Sequence, residues 1–460
     1  MTAAPTNRQG SLGVTEKAVS KTMLGRRSAL LAPLALGGCA WFDDVFGDKK
    51  VILPGEREAV VVDRRGLIVD DANAKIVLPP AVTNANWPQA GGNPAHLMGH
   101  LAANDHLTEA WKADIGEGGG YRKVLMAPPV VLNDTVCTMD SQAMVSAFGL
   151  TDGKRRWTAE TKPKDDKSTN VGCGLGADGT TVYAVNGLSQ MVALDLATGH
   201  EKWRKSLDVP ARSAPMIADG RVFVILIDDR LVAFDAADGR QLWSFQSSTP
   251  LTAMLGQPAP AYYRGLVVAG FGSGELACLR AETGAVVWTD GLGASEGRAS
   301  VADFLSIRGL PVIANGLVYA ISMGGLLICD DVPTGRRVWD RQIAGEDTPH
   351  IAGDWMFTIS AEQQIAAINI TNGRIAWITQ LPHFEDPVKR KNTLTWFGPL
   401  LVSDRLIVTG TSKDALSISP YTGDILGHIG LSEEPAPSAP VVAGGTVLIM
   451  TNDGRLMALR

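Results

Sequence analysis

The sequence has 460 residues, of which 50 are Gly and 25 Pro, with 45% hydrophobic and 6% aromatic residues. That length suffices for one large repeat domain or for two to three ordinary ones. The formal net charge is −6 and no long Lys/Arg block occurs beyond the N-terminus, which argues against a nucleic-acid surface.

The first element in chain order is an address. Residues 23–40, MLGRRSALLAPLALGGCA, place Arg26 and Arg27 ahead of an apolar run from Ala29 to Leu36. The run is too short to span a bilayer, and charge followed by an apolar core is the order of a secretory signal. Small residues directly before Cys39 have the form of a bacterial lipobox, so residues 1–38 are expected to be removed and Cys39 to carry the lipid. A start at Met23 would give a signal of ordinary length. The Arg pair also fits a twin-arginine signal, although RRSALL lacks the aromatic residue and the Lys usual there. Residue 40 is Ala, not the Asp that retains such proteins at the inner membrane in the best-known sorting systems. The expected location is therefore the periplasmic face of the outer membrane, with the chain held there by a lipid. Residues 39–85, including VILPGEREAVVV (51–62), read as a tether followed by an edge strand.

Next comes a histidine-bearing stretch, HLMGHLAANDH, with His96, His100 and His106. Spacing of i, i+4 suits two metal ligands on a helix. Gly and Asn inside the stretch, and its place just before the strand around Trp111, favour a polar cover over an edge of the fold. No metal is expected.

From there the chain is repetitive. TDGKRRW (151–157), ATGHEKW (197–203), ADGRQLW (237–243), ETGAVVW (282–288), PTGRRVW (333–339), TNGRIAW (371–377) and YTGDILG (421–427) align, and six of the seven end in Trp. Trp157, Trp203, Trp243, Trp288, Trp339 and Trp377 follow one another at 38 to 51 residues, the length of a four-stranded propeller blade. One unit shows the strands: APMIA, RVFVILI (221–227), LVAFD (231–235) and RQLWSF (240–245), separated by Asp/Gly turns that read as hairpins. Gly199, Gly239 and their counterparts permit positive φ in the turn, and Asp195 and Asp235 can fasten it by accepting backbone N–H bonds. Each Trp supplies about 150–250 Å² of apolar area to wedge between blades.

The ends complete the count. AWKADIG carries Trp111 with no strands of its own before it, while residues 438–460 supply three strands and no fourth. Pairing the two makes an all-β, eight-bladed β-propeller of four-stranded antiparallel blades over residues 86–460. The ring is closed by an N-terminal strand in the last blade, leaving no free radial edge.

Little catalytic chemistry is visible. Cys137, Cys173, Cys278 and Cys329 form no CxxC pair, and Cys278 and Cys329 fall at the small inward position of Ala193, so buried thiols are expected. The Gly clusters GLGADG (174–179) and GSGEL (272–276) lead into strands, so neither offers a helix N-terminus to a phosphate. The most basic run, KRKNTLTW (389–396), reads as a solvated loop, with contact to an acidic partner or lipid headgroup as the sharper reading.

The lipobox at Cys39, NWPQAGGNPAH (86–96), AWKADIGEGGGY (110–121) and the eight-unit repeat together resemble the outer-membrane protein assembly factor B lipoproteins, subunits of the β-barrel assembly machinery. The resemblance implies a scaffold without catalytic activity or cofactor. Such a scaffold docks on a periplasmic POTRA domain of the barrel-inserting subunit and helps it receive nascent outer-membrane proteins. By position, the family's docking loops correspond to residues 251–257 and 302–309. The first contributes Leu251, Thr252, Met254, Leu255 and Gly256, and the second Asp303 and Arg308. Leu255 stands where the family has Arg, and Arg308 near where it has an acid. Two other functions fit such a ring: a periplasmic quinoprotein dehydrogenase, and a binder of envelope polysaccharide. The dehydrogenase reading is disfavoured by the lack of a vicinal Cys pair, and by carboxylates that follow the turns and gather in no one loop.

Overall fold

A computed structural model of the chain describes residues 67–120, 125, 127–164, 166, 168, 173–248, 256, 258–292, 305–431 and 434–460. The signal, Cys39 and residues 51–62 lie outside the described residues. Every regular element among the described residues is a β-strand.

Eight antiparallel sheets of four strands form the propeller. Blade 1 is typical. Its short first strand, Val130–Leu132, is followed by Thr135–Met139, Met144–Gly149 and Arg155–Glu160, each paired with the next. The first strands line the central channel and the middle strands are almost wholly buried. The fourth strands are the most exposed of each blade, as an outer edge should be. Blade 8 is composite. Val441–Ala443, Thr446–Thr451 and Arg455–Leu459 are completed by Glu109–Asp114, which pairs antiparallel with Arg455–Leu459. The ring thus closes as the repeat count requires.

The core is a set of slabs between neighbouring blades. One slab joins Cys137, Val145, Ala147 and Trp157 of blade 1 to Leu175, Val182, Val192 and Leu194 of blade 2. Each Trp does two things at such a seam. It faces a small residue on its own third strand: Ala193 opposite Trp203, Cys278 opposite Trp288, Cys329 opposite Trp339. Its Nε1–H also donates to a carbonyl of the next blade, from Trp288 to Val332 O at 2.7 Å up to Trp203 to Ala236 O at 3.2 Å. A β-bulge just before the Trp in the fourth strand, as between Ala193 and Leu194 on the partner, adds twist that aims the ring across the seam. The next turn's glycine is needed for more than its φ of +72°. A Cβ on Gly199 would lie 2.5 Å from the Trp157 ring. Asp195 Oδ1 holds that turn by accepting from the backbone N–H of Ala197 and Thr198 at 3.2 and 3.0 Å.

One segment differs from expectation. KRKNTLTW is no plain loop. Phe384–Asp386 and Lys391–Thr393 pair as a small hairpin standing off the ring, with Val388 almost fully exposed between them. Residues 67–76 are mostly exposed but are anchored on blade 6: Asp70 N–H bonds Ile375 O, Asp70 Oδ2 accepts from Ile375 N–H, and Ile76 is buried.

Candidate functional site

The first strands of the eight blades present unpaired inner edges to the channel, and an unpaired backbone group buried there would be costly. One segment satisfies them. Residues 84–101 run once around the hub and meet the blades in ring order. Asn84 bonds blade 8 through Gly444 N–H and Val442 O, and Trp87 exchanges two backbone bonds with Val131 of blade 1. Pro88 O accepts from Ala177 of blade 2, and Gln89 Oε1 accepts from Ile217 of blade 3 at 2.8 Å. Pro94 O and Ala95 O accept from Tyr262 and Ile313 of blades 4 and 5, Gly99 N–H reaches Ile351 O of blade 6, and Leu101 bridges Val402 of blade 7. The sequence permits this path because Gly91 and Gly92 turn it at φ +66° and +78°, the first against His96 and the second under the Trp87 ring, and Asn93 Oδ1 accepts from Ala95 and Leu97 N–H.

His96 and His100 belong to this hub strap. The expected polar cover over an edge is instead a buried lining of the channel, drawn inward because the first strands need hydrogen-bond partners. His96 is fully buried, with Nδ1 on Pro311 O at 2.8 Å, and burial pulls its pKa down to about 4. His350 of blade 6 is likewise buried and pulled down to about 4 by desolvation. Its Nε2 lies 2.7 Å from Gly99 O, and its Nδ1 accepts from Leu401 N–H at 3.4 Å. His100 Nδ1 bonds Pro79 O at 2.7 Å, while His106 is exposed. The three histidines of the stretch do not converge, and among the described residues no cluster of His, Cys, Asp or Glu could hold a metal ion.

Above the strap lies a chamber of about 260 Å³. Trp87, Ala90, Gly91 and Met98 of the strap contribute to its lining, together with the connections that enter the blades. Three of its charged groups, Arg212, Arg308 and Glu346, hold one repeat position, four residues before the first strands of blades 3, 5 and 6. Arg308 pairs with Glu346. Asp347 accepts from Gly398 N–H at 3.2 Å, and burial, aided by the Glu346 carboxylate, pushes its pKa up to about 8, so it is largely protonated at neutral pH. Cys173 also lines the chamber. Desolvation raises its thiol to about 12, so it is no thiolate at neutral pH, and Sγ–H donates to Ala211 O at 3.0 Å. The chamber can hold a few waters or one small polar group, below the usual size of a ligand site, roughly 300–1,000 Å³. Its ion pair ties the entry of blade 5 to that of blade 6, as does the bond from Leu310 N–H to Thr348 Oγ1 at 3.0 Å, and Asp347 ties blade 6 to Gly398 of blade 7.

Of the residues expected at a docking surface, Gly256 and Arg308 are described, and both line this chamber. Leu251, Thr252, Met254, Leu255 and Asp303 lie outside the described residues. Arg308 is half-buried and turned inward to Glu346, not outward as a loop tip. Sequence reading missed Arg212, Glu346 and Asp347. For Arg212 and Glu346 the available signal was positional, a charged residue at the same offset before the first strands of blades 3, 5 and 6.

The comparisons with known proteins agree with this architecture. The family model described as outer membrane protein assembly factor BamB matches residues 110–379. The outer membrane protein assembly factor BamB of Bordetella pertussis is 25% identical over 368 residues, covering 80% of this chain and 90% of that protein. The crystal structure of BamB from Moraxella catarrhalis superposes with a TM-score of 0.63 at 20% identity, covering 77% of this chain and all of that one. The quinohemoprotein alcohol dehydrogenase of Comamonas testosteroni has the same TM-score of 0.63 at 13% identity, covering 82% of this chain and 81% of that one, a likeness of fold alone. With the family model spanning more than half of its length, the chain belongs to the outer membrane protein assembly factor BamB family.

Proposed function

We propose that the protein is a lipid-anchored, non-catalytic scaffold of an outer-membrane β-barrel assembly machinery. It sits on the periplasmic face of the outer membrane, fixed through Cys39 once residues 1–38 are removed. The observation that carries this reading is the extent of the match to a relative named as an assembly factor, which takes in 80% of this chain.

The partner is the barrel-inserting subunit, engaged through a periplasmic POTRA domain. The contact surface is the pair of connections entering blades 4 and 5, with Leu251, Thr252, Met254, Leu255 and Gly256 on one and Asp303 and Arg308 on the other. Two features support the pairing. The connections lead into neighbouring first strands, Ala261–Tyr263 and Val312–Ala314, and Gly256 and Arg308 both line the chamber. Arg308 serves by anchoring the base of its loop on Glu346, which leaves contact to the residues before it. Nascent outer-membrane proteins are the second class of ligand, bound as extended strands on outer blade edges.

The test is a pull-down of the barrel subunit's periplasmic repeats by this protein, with Met254→Asp and Arg308→Glu as variants. Retention by the native chain and a loss of about tenfold or more in Met254→Asp is expected. No retention by the native chain at micromolar concentration would sink the reading.

A further inference from the structure

Each blade has one equivalent position on its fourth strand, the residue facing a small side chain of the third. Seven of the eight hold Trp, at 111, 157, 203, 243, 288, 339 and 377, each with its Nε1–H on a carbonyl of the next blade. The eighth holds Gly427, paired with Ser417. The backbone there is unchanged, because the same register shift precedes it, between Ser417 and Ile418 on the partner strand. A Cβ on Gly427 would meet no atom within 4 Å.

Ring closure supplies the physical reason. Each of the seven indoles rests on the turn between the third and fourth strands of the following blade, as Trp377 does on Gly423. Blade 8 has no such turn, because its third strand Arg455–Leu459 is joined by Glu109–Asp114 from a distant part of the chain. Residues 105–108 cross there instead. A depression of about 630 Å³ remains, with Leu107, Thr108, Ser417, Leu426 and Ile429 among its lining and the carboxylates of Asp105 and Asp404 on its border. The Arg405 guanidinium, which lines the depression together with His106 and His428, is turned onto the backbone carbonyls of Asn104 and Asp105.

We propose that this seam receives one aromatic side chain, an indole or phenol ring, presented by an extended segment of a partner polypeptide that carries a basic residue beside the ring. The seven sister seams identify the ring chemistry. With the Arg405 guanidinium turned onto backbone carbonyls, Asp105 and Asp404 leave the border with one net negative charge, which selects the basic neighbour by charge complementarity. The fourth strand Ile425–Gly430 is an outer edge along which an extended segment can lie, and Leu426, 59% exposed on it, offers apolar contact.

The experiment uses the full chain and two probe peptides, acetyl-Gly-Lys-(5-fluoro-Trp)-Gly-amide and its Glu counterpart, observed by ¹⁹F NMR. Binding should broaden the fluorine line of the Lys peptide. The Glu peptide should bind about threefold or more weakly. Gly427→Trp, which supplies the missing ring, should abolish binding and raise the melting temperature. Leu426→Asp, a change at an exposed side chain that leaves folding intact, should weaken binding about fivefold or more, and Val338→Asp on the exposed edge of blade 5 should not. The proposal is overturned if the Lys peptide gives no broadening at millimolar concentration, or if Leu426→Asp leaves the broadening unaltered. It is overturned in favour of a second copy of this chain if the protein alone self-associates through a contact that Gly427→Trp removes.

Discussion

Two buried imidazoles tie the strap to the ring, and each carries its proton where a carbonyl needs it. On His96, Nδ1–H donates to Pro311 O and Nε2 is buried without a partner, so a second proton would be a charge with no acceptor. On His350, protonating Nδ1 would cost the bond from Leu401 N–H. In the unfolded chain both take up a proton near pH 6.5, but in the fold only near 4. As the pH falls the unfolded state therefore binds protons first. The stabilisation is complete above about pH 6.5 and is lost between about 6.5 and 4, on the order of 2–5 kcal/mol for the pair. Thermal melts across that range should fall steeply, and His96→Asn should flatten part of the slope. Asp347 has the opposite sign. Its raised pKa, about 8, means the fold keeps a proton that the unfolded chain gives up, so the native residue destabilises increasingly as the pH rises from about 4 to 8. Asp347→Asn should raise the melting temperature at pH 8 and change it little at pH 4. Trp243→Ala should cost about 3–5 kcal/mol in a denaturant titration, since it empties a seam and strips Ala281 O of its donor. Much of this was readable from residue type and register, the Trp and the small residue opposite it above all. The chamber charges were not, because Arg212, Arg308, Glu346 and Asp347 matter only once eight distant connections converge on one axis.

At the level of elements, strands and hairpins followed from alternating apolar runs and Asp/Gly turns, which act over a few residues. In blade 3, Met216–Ala218, Arg221–Ile225, Arg230–Asp235 and Gln241–Gln246 fall within a few residues of the boundaries read from sequence. The strap was opaque for the opposite reason. It has no periodicity, and most of the bonds that place it run to first strands elsewhere in the chain. The hairpin at 384–393 was also missed, since the charged and polar run from Lys389 to Asn392 lacks the apolar alternation that marks a strand; here Arg390 and Asn392 take left-handed φ values of +50° and +57°. A single strap residue can test the element. Gly91→Val meets His96 Cβ at 2.7 Å and is strained at φ +66°, costing on the order of 1 kcal/mol for the dihedral alone. Hydrogen exchange should then quicken together at the amides of Ala177, Tyr262 and Ile313, which bond strap carbonyls, while third-strand amides keep their protection.

For the molecule as a whole, the same N-terminal stretch closes the ring twice: at the hub through residues 84–101 and at the rim through Glu109–Asp114 on blade 8. Repeat arrays gain and lose copies readily, because each unit touches only its neighbours. The hub strap removes that freedom. Its carbonyls, amides and side chains are spaced for eight docking points on a circle of fixed circumference, so it acts as a gauge of copy number. A chain with blade 4 duplicated should keep its strands by circular dichroism yet melt lower and lose protection at the strap-bonded amides, whereas an ordinary array would tolerate the insertion. Propellers of this build can therefore diversify in their loops while their blade number stays locked, a constraint on descent written into eighteen residues that belong to no blade.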